Sequence, residues 1–208
     1  MLNSNKKFSD NLFPPDDASL FGQMDRSKKD YADRKQRLTW RSIFDSIPNG
    51  ELFVGGIQPI NIHQGGFGNC YFLVGLSALA ERPQRIRDIF LSKEVSNHGL
   101  FACTLIFRGR WRTIYLDSSF PLPKDQYKRA SSVAKGSPGQ LWVSVVEKAW
   151  NKLYGSYYMT EGGFTEEAIH DLTGAHVHFI DTRDSSFDKE AAWRDLLEGT
   201  KMDFAMLA

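Results

Sequence analysis

Residues 64–73 read QGGFGNCYFL, and this stretch decides the fold. Three glycines and an asparagine separate Gln64 from Cys70, and an apolar run begins immediately behind the cysteine. In CYFLVGLSALAER (70–82), Leu73, Leu76, Leu79 and Ala80 recur at helical spacing, and Pro83 stops the turn. Cys70 therefore stands at or near a helix N-terminus, behind a glycine-rich loop. A thiol attacks as its thiolate, which a helix N-terminus favours through its dipole and free N–H groups. Amide cleavage also needs donors aimed at a developing oxyanion, and a glutamine side chain with a backbone N–H can supply them. Gln64 and Cys70 have those types in that order. The spacing alone leaves two readings open, a nucleophile or a small packed hydrophobe.

Outward from this point the chain reads as alternating helices and strands. The stretch ELFVGGIQPINIHQGGFGN (51–69) has no steady period and reads as a loop that passes close to something. QRIRDIFL (84–91) reads as a short helix. LFACTLIF (100–107) and TIYLD (113–117) read as a hairpin that Pro121 and Pro123 bring to an end. QLWVSVVEKAWNKLYGS (140–156) is the clearest helix. Trp142, Val145, Val146, Ala149 and Leu153 form one apolar stripe, and Gly155 is the stop. FTEEAIHDLTG (164–174) and DKEAAWRDLLEG (188–199) read as helices closed by Gly174 and Gly199. HVHFID (176–181) and the final MDFAMLA read as strands.

Composition narrows the function. Of 208 residues, 41% are hydrophobic, and 26 basic residues balance 25 acidic ones to a net charge of +1. That balance gives no reason to expect nucleic acid as a partner. No apolar run approaches the roughly 18 residues of a membrane span. The first residues lack a secretory apolar segment. Two cysteines are too few for a disulfide framework, so a reducing, cytoplasmic setting is the expectation.

The segment around Cys70 resembles the nucleophile segment of the calpain family of papain-like cysteine proteases, whose usual form is QG-x-LGDCWFL. Other motifs follow in the same order. NLFPPDDASLF resembles the family's approach segment, and LTWRSIFDSIPNGELFVGGIQPINI its W-x-RP linker with DI before QG. GRWRTIYLDSSFPL is similar to its hairpin, and LWVSVVEKAWNKLYGSYYMTEGG with DLTG to its helix pair. The likeness runs from about residue 12 to the end of the chain. It implies an α+β, papain-like fold: a helical nucleophile lobe with a small hairpin, and an incomplete second β lobe. The divisions expected are an approach arm (1–39), the first lobe (40–174) and the opening of the second (175–208).

The resemblance also implies roles. Cys70 matches the nucleophile and Gln64 the oxyanion-hole side chain, while Trp142 and Glu147 to Trp150 match structural parts of the first lobe. The histidine and asparagine of papain-like enzymes lie roughly 130 to 150 residues beyond the cysteine. From Cys70 that window is about 200 to 220. The last histidine, His178, is only 108 residues on (178 − 70), and no GHAYS-like stretch is present. His63, His98, His170, His176 and His178 are not matched to the base. The expectation is a calpain-like endopeptidase acting on protein or peptide substrates, with these 208 residues inactive alone. The alternatives are a non-catalytic binding protein related to calpains, or a half-enzyme completed by a partner chain.

Family members bind a calcium ion in the first lobe through two carbonyls and two carboxylates. The matching positions are Val54 and Gly56 for the carbonyls, and Asn61 and Gln140 for the acids. Both acids are replaced by amides. Calcium affinity tracks ligand charge, so this site is expected to be weak or lost unless Asp16, Asp17 or Glu51 compensates. Asn69, standing where the family has Asp, is read as removing a charge beside the thiol, and Tyr71 as keeping an aromatic wall.

Overall fold

The computed structural model describes residues 6–125 and 133–207. Its centre is helix α5 (Trp142–Tyr154), buried at every position from Trp142 to Asn151. The sequence pattern marks one apolar stripe on this helix. The structure instead surrounds it, so Ser144, Glu147, Lys148 and Asn151 are buried with the apolar positions. Each of these polar side chains has an internal partner, as burial requires. Ser144 Oγ donates to the Ala134 carbonyl at 2.6 Å, and Thr160 Oγ1 donates to Asn151 Oδ1. Lys148 Nζ reaches the Asp117 carboxylate at 2.7 Å and the Ser119 carbonyl at 2.6 Å. Burial pushes the Asp117 carboxyl upward, but Lys148 beside it more than offsets this and holds it below the usual range.

Helix α3 (Cys70–Ala80) crosses α5 through Phe72, whose ring stacks on Trp150 with centroids 5.0 Å apart. Phe72 and Trp150 are almost fully buried; truncating one such aromatic to alanine costs about 3–5 kcal/mol. Helix α4 (Pro83–Ile89) starts on its proline, and α6 (Thr165–Thr173) packs on α3 and ends at Gly174 with φ 72°. Gly155 ends α5 in the left-handed region, as its position in the sequence indicates.

Among the described residues, two antiparallel pairs make up the sheet content. Strands β2 (Phe101–Phe107) and β3 (Arg110–Leu116) form the expected hairpin, with Cys103 opposite Ile114. The second pair joins β1 (Leu38–Ser42) to β4 (Ser119–Pro123). Pro121 and Pro123 thus lie within a strand rather than ending the unit. A two-stranded ladder has edges on both sides, and an edge tolerates a residue without an N–H.

The first forty residues divide by environment. Helix α2 (Lys29–Arg37) has no fully buried residue, and it meets the core through half-buried Tyr31, whose ring lies 4.5 Å from that of Phe21. Phe13, and Leu20 and Phe21 of the short helix α1 (Asp17–Phe21), are buried in the core. Phe13 contacts Trp40 and Tyr157 at centroid separations of 6.4 and 6.1 Å. Lys152 holds Asp10 at 2.7 Å, fastening this segment to α5.

Beyond α6 the strand expected at 176–181 does not form: residues 175–181 have no strand partner, and His176 and His178 are exposed. Helix α7 (Lys189–Lys201) runs through Gly199 instead of stopping there. A side chain at Gly199 would meet Met206 Sδ at 2.9 Å, so the glycine admits the returning tail. Residues 204–207 form no strand either, and Ala208 lies outside the described residues.

Candidate active site

The glycine-rich loop ahead of α3 is shaped by close backbone approach. His63 and Lys135 exchange backbone hydrogen bonds of 2.9 Å in each direction. A Cβ on Gly65 would stand 2.5 Å from the Val133 carbonyl carbon, so only glycine fits beside that strand-like contact. Gln64 is exposed, and its Nε2 donates to the Phe67 carbonyl at 3.1 Å, which ties the side chain to its own loop. Phe67 is buried against Tyr157. Gly68 is held from the other side: its N–H donates to Glu161 at 3.3 Å, and its carbonyl accepts from Gly162 at 2.8 Å. Glu161 is also paired with Arg34 of α2.

Cys70 is the first residue of α3 and is exposed, whereas Cys103 is buried in β2 and burial pushes its thiol up. No side chain caps α3. The first N–H groups of a helix have no intrahelical partner. At this helix start those of Phe72 and Leu73 donate to the Asn69 carbonyl at 3.1 and 3.2 Å, which leaves those of Cys70 and Tyr71 for an incoming oxygen. Tyr71, next to the cysteine, is half-buried, its hydroxyl donating to the Thr160 carbonyl at 3.0 Å. Burial raises the Tyr71 pKa.

Asn69 does not face the thiol. It is fully buried, and its Nδ2 donates to Glu147 Oε1 at 2.7 Å. The charge that an aspartate would add at this position would sit against Glu147 in the core, not beside Cys70. The other Glu147 oxygen accepts the Ala134 N–H at 2.9 Å. Burial raises the Glu147 carboxyl to about 7, against the lowering effect of those two hydrogen bonds. This link from the residue ahead of the cysteine to the centre of α5 is the part of the site that sequence reading misses. The signal for it in the sequence is an acid among the apolar positions of that helix.

His63 adjoins Gln64 on the loop, and the other four histidines belong to other segments. His98 Nδ1 lies 3.1 Å from the Lys6 carbonyl and His170 Nδ1 lies 3.0 Å from that of Ala175. His176 and His178 line a cleft of about 790 Å³ between α6, α7 and the tail. Cys70 and Gln64 are not among the residues of that cleft.

The positions matched to a calcium site come together only in part. Gln140, 1% exposed, donates through Nε2 to the carbonyls of both Val54 and Gly56. Its Oε1 accepts from the Ser137 N–H at 3.2 Å and the Trp142 indole at 3.1 Å. Asn61 closes a short 3-10 turn (Pro59–Asn61) and takes no part in that set. Asp16 caps α1, and Asp17 pairs with Lys35 and Tyr31. This donor set does not fit a divalent cation, because an amide N–H₂ group points at the two carbonyls that would be its ligands.

A family model for calpain family cysteine proteases matches residues 8–208. The chain belongs to the calpain family. It is 32% identical over 210 residues to the calpain-type cysteine protease DEK1 of Arabidopsis thaliana, covering 97% of this chain and 10% of that protein. It is 29% identical over 199 residues to calpain-5 of Mus musculus, covering 91% of this chain and 29% of the relative. Calpain-5 of Caenorhabditis elegans is 28% identical over 189 residues. The chain therefore spans between about a tenth and three tenths of these relatives. Its mixed helices and small antiparallel sheets accord with the α+β, papain-like calpain core. Among the described residues, no helix is long and apolar enough to cross a membrane.

Proposed function

We propose that these residues form the nucleophile half of a calpain-type cysteine endopeptidase. The observation that carries this reading is an exposed Cys70 at the uncapped start of α3, behind a loop that is pinned on both sides. In the proposed reaction Cys70 Sγ attacks the scissile peptide carbonyl, and the oxyanion is received by the helix-start N–H and the Gln64 amide. Gln64 has a second N–H beyond the one it gives to Phe67 for this purpose. The C–N bond then breaks, the amine leaves with the proton taken from the thiol, and water hydrolyses the thioester. None of the five histidines matches the family's base position, so in this reading the base and its orienting partner lie outside these 208 residues or on another chain. Protein or peptide substrates follow from the same reading, as does an intracellular site of action.

The test is hydrolysis of an unfolded protein substrate by the 208-residue chain, and by the native protein isolated through the peptide AWNKLYGSYYMTEGG (149–163). The 208-residue chain should be inactive alone. The native, base-containing form should cleave, and Cys70→Ala should abolish cleavage. Hydrolysis that survives Cys70→Ala would overturn the assignment.

A further inference from the structure

Two backbone carbonyls that converge on one point need a positive partner there. In this chain the carbonyls of Val54 and Gly56 converge on Gln140 Nε2. The orientation of that amide is fixed by its surroundings. Ser137 N–H and the Trp142 indole N–H can only donate, so the atom facing them must be Oε1. The carbonyls can only accept, so the atom facing them must be the N–H₂ group. Gln140 has both ends satisfied and is buried.

A carboxylate at position 140 would behave differently. One oxygen would still accept from Ser137 and Trp142. The other would face two carbonyl oxygens, an arrangement that is repulsive unless a cation or a proton stands between them. We propose that the Gln140 amide takes the place of a divalent cation, so that Val54–Gly56 is locked to the start of α5 without metal. The lock has a consequence for the site. Residues 51–69 lead directly to Cys70, and their far end is fixed by Glu51 backbone hydrogen bonds to Gly139 and Leu141 of 3.0 and 2.9 Å. In this lobe the approach to the cysteine is thus held permanently in place by a side chain, where a cation-dependent lobe would wait for its ion. This inference concerns the packing at Gln140 and stands whether or not the chain hydrolyses peptides.

The experiment compares thermal unfolding of the wild-type chain and Gln140→Glu in EDTA and in millimolar Ca²⁺. The wild type should show no saturable calcium-dependent rise in Tm. Gln140→Glu should melt lower in EDTA. It should then recover on the order of 5 °C with calcium at a hundredfold excess over its Kd. Acidification should also restore it, since a proton can replace the ion. Terbium luminescence localises the ion, because Trp142 adjoins the position: sensitised emission should rise for Gln140→Glu above the wild-type level. If the variant does not fold in EDTA, recovery of folding with calcium is the expected result. A wild-type Tm that rises with calcium as much as the variant's would overturn the proposal. So would a variant as stable as wild type in EDTA and indifferent to calcium and acid.

Discussion

Helices α5 and α7 are each 13 residues long, and both carry an amphipathic pattern with an aromatic residue on the apolar side. Their fates differ. From Trp142 to Asn151, α5 is buried on every side, whereas α7 buries only Gly199 and leaves Trp193, Leu196 and Leu197 exposed. Pattern shows which face a helix can bury. What lies around the helix decides how much it does bury. Around α5 stand α3, the β2–β3 hairpin, the β4 strand and the segment at Ala134, each meeting it with packing or a hydrogen bond. Around α7 there is the tail, held to Arg82, the residue before α4, by the Arg82–Asp203 pair at 2.7 Å. The same contrast divides residues 175–207, with exposed Phe179, Met202 and Phe204, from the part that carries the cysteine.

The contrast can be sharpened by perturbing each helix at one side chain. The larger of the two effects is expected at Glu147 of α5, and it depends on pH. Its native carboxyl is raised to about 7 from an ordinary 4.5. Between those values the native state holds a proton that the unfolded chain has released, so stability falls as pH rises through the window. The group's contribution should decline by about 3 kcal/mol between pH 4.5 and pH 8. Denaturant unfolding of wild type against Glu147→Gln reads this directly. The difference between the two should change over that range, and a constant difference would show that Glu147 is not buried as described. A much smaller effect is expected on α7: Trp193→Ala should change unfolding free energy by no more than about 0.5 kcal/mol. A loss of 2 kcal/mol or more would mean that α7 is packed as tightly as α5.

Much of this architecture is legible in the sequence because it rests on local signals. The start of α3 at Cys70, the stop of α5 at Gly155 and the β2–β3 hairpin each follow from spacing and turn residues within a few positions. What the sequence hides depends on distant partners. The β1–β4 ladder joins residues some eighty positions apart, and its prolines read locally as terminators. HVHFID has the alternation of a strand, but among the described residues no strand lies beside it to accept the ladder. Asn69 reads as a neighbour of the thiol because it precedes Cys70. Its side chain turns the other way, toward an acid 78 residues later. At Gln140 the substitution itself is visible, yet only the four surrounding groups reveal that the amide fills the space between two carbonyls.

By its own packing this part of the chain presents one cysteine for chemistry and seals the other. Alkylation of the native chain with iodoacetamide, followed by peptide mass mapping, tests it most directly. Cys70 should be modified while Cys103, with its thiol buried in β2, stays intact until the chain is unfolded. Equal labelling of both cysteines, or an unreactive Cys70, would contradict it.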